Sequence, residues 1–291
     1  MAIGRMVERT VAFGRMIKFS HSVFALPFAL VSGLIAVVRH EISITPLDVL
    51  LLLVCMVAAR TAAMGFNRIA DRDVDAENPR TKNRELPSGT IGAREAWTFT
   101  IGATIIFIAA SFGVNTLCGV LSVPLLALLY GYSLTKRVTW ASHFVLGACL
   151  GAAPIGVWFA LTGAFAWEPI LLGLGVTLWT AGFDIYYSLQ DEEFDRANGL
   201  RSIPARFGRH RSIVIVRLVH TLAMIAFFAF GVVATMGMPF WIGLALIGSI
   251  LIYEAWLMRD GDLSKIDLAF FNLNGYVSVL FAVGTAVDLW L

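Results

Sequence analysis

Residues 60–89, RTAAMGFNRIADRDVDAENPRTKNRELPSG, begin as an apolar helix and end in a cluster of acids and bases. Asn67, Asp71 and Asp75 recur every fourth residue, so a helix of 3.6 residues per turn stacks their side chains on one face. Two carboxylates and an amide suit a hard cation such as Mg²⁺, which takes oxygen ligands and completes its shell with waters and a substrate phosphate. Arg60 lies nearly two turns before Asn67 and shares that face. A solvated helix end of alternating charge accounts for one such motif equally well.

A second copy weighs against that. Residues 184–195, DIYYSLQDEEFD, again stand where an apolar run turns polar, and Asp184, Tyr187, Asp191 and Asp195 fall at offsets of three, seven and eleven, which a helix returns to one face. Two acid faces in one chain suit more than one divalent ion and a diphosphate.

Outward from these motifs the chain is apolar. Of its 291 residues 58% are hydrophobic and 14% charged, against roughly 25% charged in a soluble domain, and mean hydropathy is +0.78. This composition is that of a membrane protein. Apolar runs near the ~20 residues a spanning helix needs lie at 22–39, 47–67, 95–114, 116–134, 140–162, 169–188, 212–235, 239–257 and 267–289. The expected fold is therefore all-α, a polytopic membrane protein of nine transmembrane helices. Spans two and six each end in an acid face followed by a basic loop with one late proline, Pro87 or Pro204. That weak repeat suggests two four-helix halves plus one helix, with the site between halves.

Basic residues orient the bundle. Of the 22 Lys and Arg, all but Arg39, Arg60 and Arg217 fall before span one or in the loops after spans two, four, six and eight. The positive-inside rule makes that side cytoplasmic, so both acid motifs open inward, the N-terminus lies inside and the C-terminus outside. The first nineteen residues lack a small-residue cleavage site and read as a basic amphipathic lead-in. Cys55, Cys118 and Cys149 lie inside spans without CxxC spacing and read as packing residues. His143 and His220, each alone in a span, read as packed, hydrogen-bonded residues. Span five is rich in Gly and Ala, which fits either close helix packing or room for a chain lying against it.

The motifs resemble those of the UbiA superfamily of membrane prenyltransferases: NxxxDxxxD at Asn67, Asp71 and Asp75, and DxxYxxxDxxxD at Asp184, Tyr187, Asp191 and Asp195. The closing LPSG of the first region and the KRxT segment at Lys136, Arg137 and Thr139 are similar to that family too, and the likeness covers nearly the whole chain as one domain, 1–291. One departure is Glu85, where many relatives have proline. The opening MIKFSHSVFALPFALVSGLIA resembles the 4-hydroxybenzoate polyprenyltransferase branch, which includes a subgroup acting on a dihydroxynaphthoate for menaquinone.

The resemblance implies Mg²⁺-dependent transfer of a polyprenyl group from its diphosphate to an aromatic acid in quinone biosynthesis. Asp71, Asp75, Asp191 and Asp195 would hold the metal as catalytic residues, with Asn67 orienting the first cluster. Asp184 and Tyr187 would complete the second, Tyr187 either bonding an Asp or shielding the allylic cation with its ring. Arg72, Lys136, Arg137 and Arg201 are candidate diphosphate binders or topology determinants. Arg60 would pair with an acid or grip the acceptor carboxylate, since an Arg at the centre of a span costs about 2.5–3.5 kcal/mol on insertion scales. The expected partners are the prenyl diphosphate, the aromatic acceptor and the bilayer, with no nucleic acid. A transporter would also carry intramembrane acids, but near mid-bilayer and not at helix ends beside basic loops. A soluble prenyl-chain synthase would need polar outer faces.

Overall fold

The computed structural model describes residues 12–14, 16 and 24–291. Among the described residues every regular element is helical: α1 Leu26–Arg39, α2 Pro46–Ala70, α3 Arg72–Glu77, α4 Ala93–Val114, α5 Thr116–Val138, α6 Ser142–Thr162, α7 Trp167–Ser188, α8 Glu192–Ala197, α9 Ile203–Val233, α10 Met238–Leu257 and α11 Asn274–Trp290. A 3₁₀ turn, Leu189–Asp191, joins α7 to α8, and a π-helical turn, Leu268–Leu273, leads into α11. Among the described residues eight helical segments are long and apolar enough to cross a bilayer, and α1, with 14 residues, is a shorter apolar helix. The expected first span, 22–39, begins outside the described residues, as do Arg5, Arg9, Arg15 and Lys18. This is an all-α polytopic membrane protein.

Local chemistry sets the helix ends. Pro46 opens α2 behind a capping box, in which Thr45 N–H donates to Asp48 Oδ2 at 2.8 Å and Asp48 N–H returns to Thr45 Oγ1 at 3.2 Å. Ser202 caps α9 by accepting from Ala205 N–H at 3.2 Å. α9 bends at Gly208, whose φ of +78° lies in the left-handed region that glycine enters without a Cβ penalty.

The chain packs as two compact units. One holds residues 45–134, that is α2 to α4 and most of α5; the other holds residues 24–44 and 135–291. Packing thus groups the chain differently from the sequence repeat, since α1 belongs with α6 and α11 in the second unit and not with spans two to four.

In the first unit Ala58, Ala62, Ala103 and Phe107 form a small-residue seam between α2 and α4, and the Phe66 ring lies 4.5 Å from that of Tyr130. In the second, Phe28, Trp179, Phe227 and Phe281 meet at its centre, with ring centroids 4.8 to 5.8 Å apart. The Gly/Ala stripe of α6 is a packing surface. A Cβ on Gly147 would sit 2.1 Å from Thr177 O, and one on Gly151 2.3 Å from Gly173 O, so α6 and α7 touch backbone to backbone.

At the end of this unit remote from Asp184, Arg39 of α1 closes a clamp. Its Nη1 donates to the Ala234 and Thr235 carbonyls and its Nη2 meets Asp288 Oδ2 at 3.4 Å, while Gly237 N–H donates to the same oxygen at 2.9 Å. Deeper in, a buried polar chain runs from Trp179 Nε1 to Asn274 Oδ1 at 2.7 Å and from Asn274 Nδ2 to Glu254 Oε1 at 3.1 Å, with His220 Nδ1 3.5 Å from Glu254 Oε2. His220 packs there against Gly182. Outward faces carry large apolar side chains such as Ile105, Val123, Leu218 and Ile252, as expected of surfaces solvated by lipid.

Candidate active site

The first acid cluster stands where α2 gives way to α3. Asp71 is the joint, yet the four-residue spacing survives it: Asp71 N–H donates to Asn67 O at 3.0 Å and Asp75 N–H to Asp71 O at 2.7 Å. Asn67 Nδ2 accordingly reaches Asp71 Oδ2 at 2.9 Å. Asp75 turns inward, buried, and Arg84 Nη1 donates to both of its oxygens at 2.7 and 2.8 Å.

Arg68 corrects the loop assignment. α2 continues to Ala70, so Arg68 is a buried helix residue, its Nε donating to Met16 O at 3.3 Å. Arg60 is half-buried in α2. Arg72 is exposed, and its Nε lies 3.4 Å from Asp73. Asp73 and Glu77, off the face shared by Asn67, Asp71 and Asp75, are exposed.

The second cluster is not carried by one continuous helix. α7 ends at Ser188 and a 3₁₀ turn of tighter pitch carries the chain to Asp191 before α8 resumes. Asp191 and Asp195 are both buried. α5 runs on to Val138, so Lys136 and Arg137 form its last turn, where positive charge complements the helix dipole. Lys136 Nζ lies 3.3 Å from Asp195 Oδ2, whereas Arg137 is exposed. Arg201 ties the following loop to that helix end, its N–H donating to Lys136 O and its Nη1 to Val138 O, both at 2.6 Å.

Asp184 has a partner that the sequence did not assign. His143, fully buried in α6, stands with Nδ1 2.7 Å from Asp184 Oδ2, and Ile203 N–H points at its Nε2 at 3.4 Å. With Nε2 accepting, the proton sits on Nδ1 and is donated to the carboxylate. The Tyr187 ring lies against Phe270 at 4.3 Å, and Phe270 is edge-on to Phe183 at 5.4 Å. Arg84 and His143 escaped sequence reading because neither shares the motifs' period; a base nine residues after Asp75 was the one available signal.

Among the described residues no three His, Cys, Asp or Glu side chains form a preassembled ion cage. Each acid cluster is instead set against bases at the end of an apolar helix, an arrangement suited to a charged headgroup whose tail stays in lipid. Residues 25–276 match the UbiA prenyltransferase family. The chain belongs to that family. It is thus a membrane-embedded transferase of prenyl groups.

Relatives in this family include a protein of Vibrio parahaemolyticus named 4-hydroxybenzoate octaprenyltransferase, 32% identical over 84% of this chain and 85% of its own length. A Pseudomonas aeruginosa protein of the same name is 31% identical over 83% and 81%. Among solved structures, the apo UbiA homolog from Aeropyrum pernix K1 superposes with a TM-score of 0.82 at 32% identity, covering 92% of this chain and 98% of that one. A UbiA homolog from Archaeoglobus fulgidus, solved with GPP and Mg²⁺, shares the fold at a TM-score of 0.69 and 19% identity, over 96% of this chain and all of that one.

Proposed function

We propose that this chain transfers a polyprenyl group from its diphosphate to an aromatic acid of the 4-hydroxybenzoate kind, a step of ubiquinone biosynthesis, with Mg²⁺ assisting. The observation that carries this reading is the Asp184–Asp195 segment, with Lys136 on Asp195 and His143 on Asp184 at the end of an apolar bundle. The names borne by the Vibrio and Pseudomonas relatives support the acceptor class.

The donor set fits a hard divalent ion: carboxylates and one amide, with no soft ligand. Asp71 and Asp75 with Asn67, and Asp191 with Asp195, are the residues that would hold Mg²⁺. Bound there, the ion supplies positive charge to the departing diphosphate. In the reaction the allylic C–O bond breaks with its electron pair leaving on diphosphate, a ring carbon of the acceptor forms the new C–C bond, and the ring releases a proton.

Lys136 adds positive charge beside the second cluster, and Arg201 acts through it by fixing the end of α5. Arg72 and Arg137, exposed beside the clusters, attract the anionic donor. Tyr187, backed by Phe270, offers a ring face to the cation. Arg60 either grips the acceptor carboxylate, in which case Arg60→Ala raises the acceptor KM, or pairs with an acid as structure, in which case the variant loses abundance and stability together. The acid-motif end faces the cytoplasm, with the N-terminus inside and the C-terminus outside. A C-terminal reporter active only on the cytoplasmic side overturns that topology.

The decisive assay incubates purified protein with a polyprenyl diphosphate, Mg²⁺ and a panel of hydroxybenzoates and dihydroxynaphthoates, and identifies products by mass. Prenylated 4-hydroxybenzoate that disappears with chelator is the expected result. Product from dihydroxynaphthoate alone reassigns the acceptor to menaquinone synthesis, and no product from any acceptor overturns the reading.

A further inference from the structure

Two arginines at the acid-motif end of the second unit have no part in the proposed chemistry. Arg217 lies about 2.5 turns beyond the Gly208 kink of α9, inside the apolar stretch of that helix, and is exposed. Its neighbours Val214 and Leu218 are exposed too, so this face meets lipid. Arg217 Nη2 donates to the Ala255 carbonyl on α10 at 3.4 Å, and among the described residues it has no acidic partner. Arg209, nearer the helix start, donates to Gly261 O at 3.4 Å and lies 3.8 Å from Glu192, which also takes Arg196.

The residue after Ala255 is Trp256, more than half exposed, with the Arg259 guanidinium 4.8 Å over its ring and Tyr253 stacked beside it at 5.8 Å. Arg259 also meets Asp260 at 3.2 Å, but both are exposed, and such pairs neutralise little. The seam between α9 and α10 therefore presents two guanidiniums on either side of residues 255 and 256, on a lipid-facing surface, beside an exposed Tyr–Trp pair.

A guanidinium held at that depth needs an anion within reach of its snorkelling side chain. Exposed Trp and Tyr mark the level of lipid headgroups. The planar fork of Arg matches phosphate through two N–H donors at once, and basic pockets between spanning helices are where anionic headgroups bind. We propose that the seam at Arg217, Arg259, Tyr253 and Trp256 is a binding site for the phosphate headgroup of an anionic phospholipid. The site is separate from the prenyl-transfer chemistry and stands whether or not the acceptor assignment does.

The test delipidates the full chain in neutral detergent, offers phosphatidylglycerol and phosphatidylcholine of matched acyl chains in equal amounts, and counts retained lipids by native mass spectrometry. Phosphatidylglycerol should be retained over phosphatidylcholine by about tenfold, and Arg217→Gln or Arg259→Gln should bring that ratio close to one. Arg211→Gln, on the same helix but about 240° around it from Arg217, should leave the ratio unchanged. Arg259 follows the last turn of α10, so its variant reads the site even where Arg217→Gln fails to fold. Equal retention of the two lipids by the unmodified protein overturns the proposal, as does an unchanged ratio in Arg259→Gln. Displacement of the lipid by inorganic phosphate overturns it in favour of a free-anion site, and displacement by geranyl diphosphate in favour of an extension of the donor site.

Discussion

Asp75 and Arg84 form an ion pair in which Arg84 Nη1 donates to both carboxylate oxygens and the carboxylate is almost wholly withdrawn from solvent. Removing one member of a buried pair leaves an uncompensated charge and typically costs about 3–5 kcal/mol. Arg84→Ala should therefore lower thermal stability in detergent sharply, and Arg84→Gln combined with Asp75→Asn should recover part of the loss, as read by the unfolding temperature. Asp191 tests the chemistry more directly. Asp191→Asn keeps shape and removes charge, so turnover should fall by about 10²-fold or more at equal abundance, while the exposed Asp73→Asn should keep close to full rate. Equal inactivity of the two variants would refute the assignment of the second cluster. At this scale the acids were legible because a four-residue period survives in one chain segment. Their bases were not: His143 is 41 residues from Asp184 and meets it only through the packing of α6 on α7.

Among the elements, α6 and α7 approach backbone to backbone, and small residues are the cause. Gly147→Val should abolish the folded protein, because the new side chain meets the Thr177 carbonyl at 2.1 Å from its Cβ alone. Gly156→Val on the same helix should be tolerated, since a Cβ there meets nothing within 4 Å. Comparing monodisperse yield of the two in detergent checks this, and equal yields would contradict the packing. Sequence offered the Gly/Ala stripe but not its partner, as either a neighbouring helix or a chain lying against it satisfies the same composition. Element ends were blurred for a different reason. Arg68 and Lys136 look like loop residues by charge, yet each lies inside a helix because an intramolecular acceptor, Met16 O or Asp195, takes its donors. The 3₁₀ turn before Asp191 leaves no mark on the spacing of the acids, and so the second motif read as one helix.

For the whole molecule the strongest expectation joins the two acid clusters in one reaction. Residues that act as a unit lose most of their joint effect with the first deletion. Asp71→Ala combined with Asp191→Ala should thus be little slower than either alone, measured as diphosphate release per enzyme. Multiplying losses would mean that the clusters serve separate steps. Nine apolar segments announced the fold plainly, since each must satisfy its backbone internally to exist in lipid. Their grouping was hidden, because α1 joins α6 and α11, helices far from it in sequence, through rings such as Phe28 and Phe281 that hydropathy alone does not pair.

The Arg39 clamp has a practical bearing on tagging. Asp288 sits in the last turn of α11 and holds both Arg39 and the Gly237 amide. A fusion joined after Leu291 keeps this latch closed, whereas one that trims the chain back past Asp288 takes the carboxylate from Arg39 and from the Gly237 amide and leaves α1 held to the α9–α10 turn by the Arg39 bonds to the Ala234 and Thr235 carbonyls alone. A localisation reporter grafted onto the trimmed end would then report on a loosened protein, and its signal would confuse misassembly with orientation.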